Sequence, residues 1–203
     1  MKSPLILFWP GRGKDPNVLA YFLSLLKAQG YNVITIPFEY DTGISPLSFD
    51  SEWKEWCTKN DFSWWIGISL GASLAYTFAS LLETRKPKRL TLINPFMSRE
   101  ILAKEKGFSL KEQWNFSPIE FDLRLKQIDI VTSVMDEKIP MYHSIQLLNK
   151  TISNRKNIIF IDDTHQISNV AAQKELAELL IDNKNIKKEP GCGKTYYCNI
   201  YQR

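Results

Sequence analysis

The chain has 203 residues, of which 44% are hydrophobic, 12% aromatic and 24% charged. This length fits one domain around one core, and the composition excludes a disordered or low-complexity protein. Lysine and arginine number 26 against 22 aspartates and glutamates, which gives a net charge of +4. The basic cluster at 85–89 is too small for a nucleic-acid footprint, so we predict a solvated surface there and no nucleic-acid partner.

Membrane, secretion and metal signals are weak. The longest uninterrupted apolar run, at 4–10, is far shorter than the roughly 20 residues that a membrane span needs. No small-residue cleavage site follows it, so we predict a cytoplasmic protein. Three cysteines, Cys57, Cys192 and Cys198, have no repeated spacing, and only two histidines accompany them. We therefore expect no disulfide scaffold and no metal site.

Short runs that are apolar on both faces recur along the chain and predict six buried strands. They lie at 5–9, 32–36, 64–68, 90–93, 128–134 and 157–161. The segments between them are long enough to hold crossover helices, which favours a parallel sheet over a meander. The predicted fold class is therefore α/β, a three-layer sandwich with a mainly parallel sheet and helices on both faces.

The helices carry their own start and stop signals. Asp15 can cap the first helix, and Gly30 suits the left-handed residue that ends it. The apolar stripe of this helix has helical spacing and packs on the sheet; it consists of Leu19, Phe22, Leu23 and Leu26. Later helices are predicted to begin at Pro140 and at Ser168 or Asn169.

Two segments interrupt the alternation of strands and helices. Residues 97–126 mix charged with aromatic side chains and are too long for a tight turn. They fit either a small cap over the strand ends or an ordinary crossover helix with irregular flanks. Residues 184–203 show no periodicity, so we predict one domain at 1–183 followed by a surface extension.

The motif Gly67-Ile68-Ser69-Leu70-Gly71 follows the third predicted strand and precedes a helix start. G-x-S-x-G at such a corner is typical of a nucleophile elbow, where a strained backbone exposes the serine hydroxyl. Side chains at the two glycine positions would collide with the neighbouring strand and helix. The Leu70 amide would lie at a helix N-terminus, which favours developing negative charge. The alternative is a glycine-rich packing corner with an inert serine.

A serine hydroxyl needs a base in contact with it to act as a nucleophile near neutral pH. Of the two histidines, His165 lies in the loop directly after the sixth strand, at the edge where ligands bind in open α/β sheets. His143 lies within a predicted helix, and we interpret it as a packing or surface residue. The sequence thus predicts that His165 contacts Ser69.

An orienting carboxylate should follow another strand, and Asp136 comes directly after the fifth. It would accept the imidazole N–H, fix the tautomer of His165 and stabilise the imidazolium. Glu137, Asp162 and Asp163 are rivals. Glu137 lies one residue further into the turn, whereas Asp162 and Asp163 are close enough to His165 to shape its loop instead.

The loop after the first strand, at Gly11 and Arg12, is the candidate second half of an oxyanion hole. An N–H of either residue would complement the Leu70 amide, and the Arg12 side chain could reach an acidic part of a substrate. The alternative is a simple turn into the first helix. Four aromatic residues near these loops indicate a pocket for a small or medium apolar acyl chain: Trp9, Phe96, Trp114 and Phe116.

The elbow, the chain order Ser69, Asp136, His165 and the loop after the first strand together resemble the α/β-hydrolase family. The resemblance extends to about Asn183. Because the chain lacks a large cap, it is similar to the small single-domain members of that family, the esterases and thioesterases. One departure is Pro10-Gly11 in the oxyanion loop, where the family commonly has His-Gly.

The resemblance implies the strand order 2-1-3-4-5-6 and hydrolysis through an acyl-enzyme on Ser69, without a cofactor. It also implies a small-molecule ester or thioester as substrate, including an acyl group on a carrier. A hypothesis of another class keeps the scaffold but makes it a catalytically silent ligand-binding or protein-interaction module.

Overall fold

A computed structural model describes the chain at residues 4–11, 19–36, 51–110, 116–182 and 195–200, without the side chains of 51–54 and 195–200. The strands are β1 Leu5–Trp9, β2 Asn32–Thr35, β3 Trp64–Ile68, β4 Arg89–Ile93, β5 Arg124–Ser133, β6 Ile152–Ile161 and β7 Thr195–Ile200. The helices are α1 Ala20–Ala28, α2 Ser51–Lys59, α3 Leu70–Leu81, α4 Arg99–Lys106, α5 Tyr142–Lys150 and α6 Val170–Asp182, with a short 3₁₀ turn at Pro118–Glu120.

The strands form one sheet in the order β2-β1-β3-β4-β5-β6-β7. Strands β1 to β6 are parallel, which confirms the predicted fold class and strand order. Strand β7 is antiparallel to β6, with Ile158 opposite Cys198. The sequence predicts only a surface extension for 184–203, because this short edge strand interleaves polar residues with its strand-forming ones.

Strands β5 and β6 begin earlier than predicted. Their added residues alternate between exposed and buried before the continuous buried runs begin. The two strands pair over this whole length, from Arg124 opposite Ile152 to Ser133 opposite Ile161. The apolar runs alone therefore marked only the halves of these strands that are buried on both faces.

Helices cover both faces of the sheet, as the predicted three-layer sandwich requires. Alternate strand residues point to opposite faces, so Leu92 packs in one core and Ile93 in the other. The first core contains side chains of α2, α3, α4 and α5. The second contains those of α1 and α6. Within the described ranges, no helix is long and apolar enough to cross a membrane.

Some of the predicted helix signals can be compared with the structure. Gly30 follows α1 with φ of +86°, as the predicted stop requires. The Asn169 side chain accepts the Ala171 N–H at 2.8 Å and so caps α6. Pro140 precedes α5 by two residues. Asp15 lies outside the described residues.

A buried carboxylate links three strands on the α1/α6 face of the sheet. Asp129 accepts hydrogen bonds from the Arg89 guanidinium at 2.6 Å, Gln127 at 3.0 Å and Thr91 at 3.3 Å, and also from the Asn157 amide. A buried charge is tolerated only when such partners replace its hydration. This network therefore fixes β4, β5 and β6 relative to one another.

Removing the carboxylate should destabilise the fold, because Arg89 and the amides of Gln127 and Asn157 lose a buried acceptor. We expect Asp129→Ala to lower the free energy of unfolding by about 3–5 kcal/mol in urea denaturation. The control is Glu178→Ala on the exposed face of α6, which should change it by less than about 0.5 kcal/mol. A loss below about 1 kcal/mol for Asp129→Ala would contradict the assigned role.

Candidate active site

Ser69 lies between the last residue of β3 and the first residue of α3. Its backbone has φ of 54° and ψ of −124°, outside the regions that a serine ordinarily adopts. Its N–H donates to the Ile93 carbonyl oxygen at the end of β4, at 2.8 Å. Because β3 stops here and the helix starts at once, the strained residue turns its side chain away from the sheet.

Close backbone packing explains both glycines of the motif. A Cβ atom on Gly67 would lie 2.6 Å from the Ala72 Cα atom in α3. On Gly71 it would lie 2.2 Å from the Pro10 carbonyl oxygen and 2.4 Å from that of Trp9. Such separations are too short for any side chain. Glycine at 67 therefore lets α3 lie close to β3, and glycine at 71 lets the corner pack against the end of β1.

Three of the predicted site residues form one chain of hydrogen-bonding contacts. His165 Nε2 lies 2.9 Å from Ser69 Oγ, and His165 Nδ1 lies 2.7 Å from Asp136 Oδ2. The carboxylate accepts the Nδ1 proton, which leaves the lone pair of Nε2 directed at the serine hydroxyl. Both the imidazole and the carboxylate are buried. The structure thus brings together residues that lie 96 and 29 positions apart in the chain.

Asp136 is itself held by the turn that follows β5. Its Oδ1 atom accepts the backbone N–H groups of Lys138 and Ile139, both at 2.8 Å. With Oδ1 fixed in this way, Oδ2 faces His165. The turn therefore orients the carboxylate as well as supplying it.

The rival carboxylate Asp163 has the structural role expected for it. Its two oxygens accept the N–H groups of Thr164 at 2.7 Å and Asn169 at 3.0 Å. These bonds close the loop that carries His165 and lead the chain into α6. Asp163 therefore shapes the loop, while Asp136 contacts the imidazole.

Asn94 is a site residue that the sequence analysis missed. It is buried directly after β4, with φ of 49°. Its amide nitrogen donates to the His165 carbonyl oxygen at 2.7 Å and to Ser133 Oγ at 3.0 Å, and its Oδ1 accepts the Ser133 N–H at 2.7 Å. Its position at a strand end was the available signal, because the carboxyl ends of parallel strands share one edge.

His143 is a packing residue, as predicted. It is fully buried; its Nδ1 accepts the Met97 N–H at 3.3 Å, and its Nε2 lies 3.2 Å from Glu105 of α4. Burial lowers the pKa of the imidazole, because the charged form loses its hydration. His143 therefore stays neutral near pH 7, and it joins α5 to the segment that follows β4.

An open pocket of about 390 Å³ adjoins the serine and the imidazole. Segment 97–126 supplies part of its wall through α4, and the turn after β5 supplies another part. The lining residues are Ser69, Leu70, Phe96, Arg99, Leu102, Lys106, Phe108, Glu137, Lys138, Ile139 and His165. Small molecules with an apolar portion suit a concave site of this size.

The predicted substrate-contacting aromatics divide between pocket and core. Phe96 lines the pocket, and Phe116 packs edge-on against it with ring centroids 5.3 Å apart. Trp9 does not line this pocket: it is fully buried and packs against Trp65 and Phe78 at 5.4 and 5.2 Å. The cause is strand alternation, which directs the last side chain of β1 into the core beneath α3.

Two of the residues predicted to form the oxyanion hole, Leu70 and Gly11, lie next to Ser69. Leu70 is the first residue of α3, so its N–H has no carbonyl partner within the helix. Gly11 lies against the serine, because a Cβ placed on it would be 3.2 Å from Ser69 Cβ. Arg12 and Trp114 lie outside the described residues. No group of three or more potential metal ligands occurs among the residues that the structure describes.

Comparison with known proteins gives likenesses in structure only. No family model matches the chain, and no curated protein sequence matches it significantly. Monoacylglycerol lipase of Paleococcus ferrophilus is similar with a TM-score of 0.69 at 12% identity, over 91% of this chain and 97% of the lipase. Mouse α/β-hydrolase domain-containing protein 10 is similar with a TM-score of 0.66 at 14% identity, over 90% of each chain.

An esterase domain from Rhodothermus marinus is similar with a TM-score of 0.62 at 14% identity, over 87% of this chain and 84% of that domain. These likenesses span 87–91% of the chain, the part that contains the six parallel strands. The chain therefore has the α/β-hydrolase fold that its sequence motifs predicted.

Proposed function

We propose that this protein is a serine hydrolase that cleaves a carboxylic ester or thioester through an acyl-enzyme on Ser69. The observation that carries the proposal is the contact between Ser69 Oγ and His165 Nε2, continued from Nδ1 to Asp136. A pocket large enough for an acyl chain adjoins the same serine. The likeness to a lipase and an esterase agrees with this chemistry.

In the first half of the reaction, Ser69 Oγ attacks the carbonyl carbon while its proton passes to His165 Nε2. The imidazolium that forms is stabilised by Asp136 across the 2.7 Å contact. Negative charge develops on the former carbonyl oxygen, where the Leu70 N–H and an N–H of Gly11 or Arg12 would stabilise it. The tetrahedral intermediate collapses as Nε2 returns the proton to the leaving alcohol or thiol.

In the second half, water replaces the alcohol. His165 takes a proton from the water, which attacks the acyl carbon, and the resulting intermediate expels Ser69 Oγ. The proton returns from Nε2 to the serine, and the carboxylic acid leaves. Both halves use the same three side chains and the same oxyanion donors, so no cofactor enters the cycle.

Removing the nucleophile tests the proposal directly. Ser69→Ala should lower kcat for a short p-nitrophenyl ester by about 10³-fold or more while the circular dichroism spectrum stays unchanged. A fluorophosphonate probe should label the wild-type protein at Ser69 and leave the variant unlabelled. Ser24→Ala, which changes an exposed serine of α1, is the matched control.

Two outcomes would oppose the hydrolase. If Ser69→Ala hydrolysed the ester with the kcat of the wild-type protein, this serine would be excluded as the nucleophile. A folded wild-type protein that neither hydrolyses esters nor reacts with the fluorophosphonate would instead support a binding module on the same scaffold.

Asp136→Asn tests the orientation of the base. The amide can donate to the imidazole and so favours the tautomer in which Nε2 carries the proton and cannot accept that of Ser69. We expect kcat to fall on the order of 10³–10⁴-fold with little change in KM, the scale seen when a triad carboxylate is lost. Asp122→Asn, whose side chain is 77% exposed, should retain the parental kcat.

If Asp136→Asn kept the kcat of the wild-type protein, Asp136 would be excluded as the carboxylate that orients His165. One of the other candidate carboxylates would then have this role. The steady-state assay therefore separates Asp136 from Glu137, Asp162 and Asp163.

A further inference from the structure

The charges on the pocket wall are unbalanced. Among the residues that the structure describes, three cationic side chains line it, those of Arg99, Lys106 and Lys138, against one carboxylate, that of Glu137. Two of the cations come from α4 and one from the turn after β5, so they lie on two separate elements. The hydrolytic chemistry at Ser69 does not use them.

Two carboxylates close to the pocket, those of Glu105 and Asp136, already have hydrogen-bonding partners. Glu105 of α4 accepts the Tyr142 hydroxyl and faces His143 Nε2. These bonds lower the pKa of Glu105, because they favour its charged form. Asp136 is held by His165 and two backbone N–H groups. The charge of Lys106 also lowers the Glu105 pKa, but it is the smallest of the causes, so Glu105 offsets this pocket cation only in part.

Apolar and charged residues occupy different depths of the pocket. Leu70, Phe96 and Leu102 are buried, whereas Lys106 and Lys138 are exposed. An apolar stretch of ligand next to Ser69 would thus be followed by a rim of positive charge. A ligand with a negative charge at the end of an apolar stretch complements this change from an apolar interior to a positively charged rim.

Arg99 is the cation closest to the apolar interior. Its guanidinium carbon lies 5.6 Å from the Phe96 ring centre and 5.0 Å from that of Phe108. Stacking on two rings restricts the guanidinium and reduces the conformational entropy that a ligand must remove on binding. A guanidinium held in this way can bind a carboxylate or phosphate through two parallel hydrogen bonds.

Lys106 connects the two walls. Its ammonium donates to the Glu137 carbonyl oxygen at 2.8 Å, across from α4 to the turn after β5. An ammonium carries three N–H groups, so this bond positions the charge and leaves donors for a ligand. The two lysines therefore lie on facing sides of the rim with charge available to an anion.

We propose that the pocket selects esters or thioesters carrying a negatively charged group, a carboxylate or phosphate, beyond an apolar stretch next to the scissile carbonyl. The inference rests on the proposed function, since it assigns the substrate class of the Ser69 site. The anion can belong to the acyl chain, as a terminal carboxylate, or to the leaving group, as a phosphate.

Two matched substrate pairs test the inference and separate the two sources of charge. The first is mono-p-nitrophenyl adipate against p-nitrophenyl hexanoate, which share a six-carbon acyl chain ending in carboxylate or methyl. The second is butyryl-coenzyme A against the butyryl thioester of N-acetylcysteamine, which lacks the phosphates. We expect about a tenfold or larger preference in kcat/KM for the anionic member of at least one pair, the scale of a charge-assisted hydrogen bond.

Variants connect the preference to the named cations. Lys138→Met and Lys106→Met should each lower the ratio of kcat/KM for the anionic over the neutral substrate, mainly through KM, and together they should lower it about tenfold. Lys106→Arg should retain the ratio, and added salt should reduce it. Lys174→Met, on the exposed face of α6, is the charge-matched control and should leave the ratio unchanged.

The outcomes distinguish this inference from the proposed function. Equal kcat/KM within both pairs, with all four substrates hydrolysed through Ser69, would overturn the inference and leave the hydrolase intact. Should no ester or thioester be cleaved, two binding comparisons on Ser69→Ala still decide the inference: adipic acid monoanilide against hexananilide, and coenzyme A against N-acetylcysteamine. Tighter binding of the anionic member of either pair supports the cationic rim, and equal binding within both pairs overturns it.

Discussion

The contact between the β3–α3 corner and the end of β1 is the constraint on which the site depends. Gly71 lies against the carbonyl oxygens of Trp9 and Pro10, so nothing larger than hydrogen fits between the two backbones. This approach places the N-terminus of α3 beside Gly11 and forces Ser69 into its positive φ. The backbones of Ser69, Leu70 and Gly11 are consequently fixed by close packing rather than by flexible side chains.

Parallel pairing of the strands brings the other site residues to the same edge of the sheet as Ser69. Because β3, β4, β5 and β6 are in parallel register, the residues that follow them meet at one edge. Hydrogen bonds then connect the loops to one another: Ser69 N–H to Ile93, Asn94 to the His165 carbonyl, and Val134 N–H to Ile161. The imidazole is therefore held through its backbone as well as through Asp136, which limits its motion relative to Ser69.

The sequence predicted the central fold and the three interacting side chains because each is a local pattern at a strand end. Ser69, Asp136 and His165 each follow an apolar run within four residues. Because the chain has only two histidines, few serine–histidine pairs had to be considered. Less local features were missed. Trp9 was assigned to the pocket, although the alternation of β1 directs it into the core. Asn94 was missed because its partners come from β5 and the His165 loop, and β7 because an edge strand needs no continuous apolar run.

Two of the three pocket cations lie in a different part of the chain from the serine, imidazole and carboxylate. In the proposed hydrolase, substrate selection and chemistry would therefore use partly different segments. The serine, imidazole and carboxylate lie at the ends of sheet strands, whereas Arg99 and Lys106 lie on α4, within the segment that crosses from β4 to β5. That helix is anchored by its own contacts, with Ser98 as its N-cap and Glu105 against α5. We therefore expect that exchanging Arg99 and Lys106 changes the charge of the pocket wall without changing the strand pairing that positions Ser69.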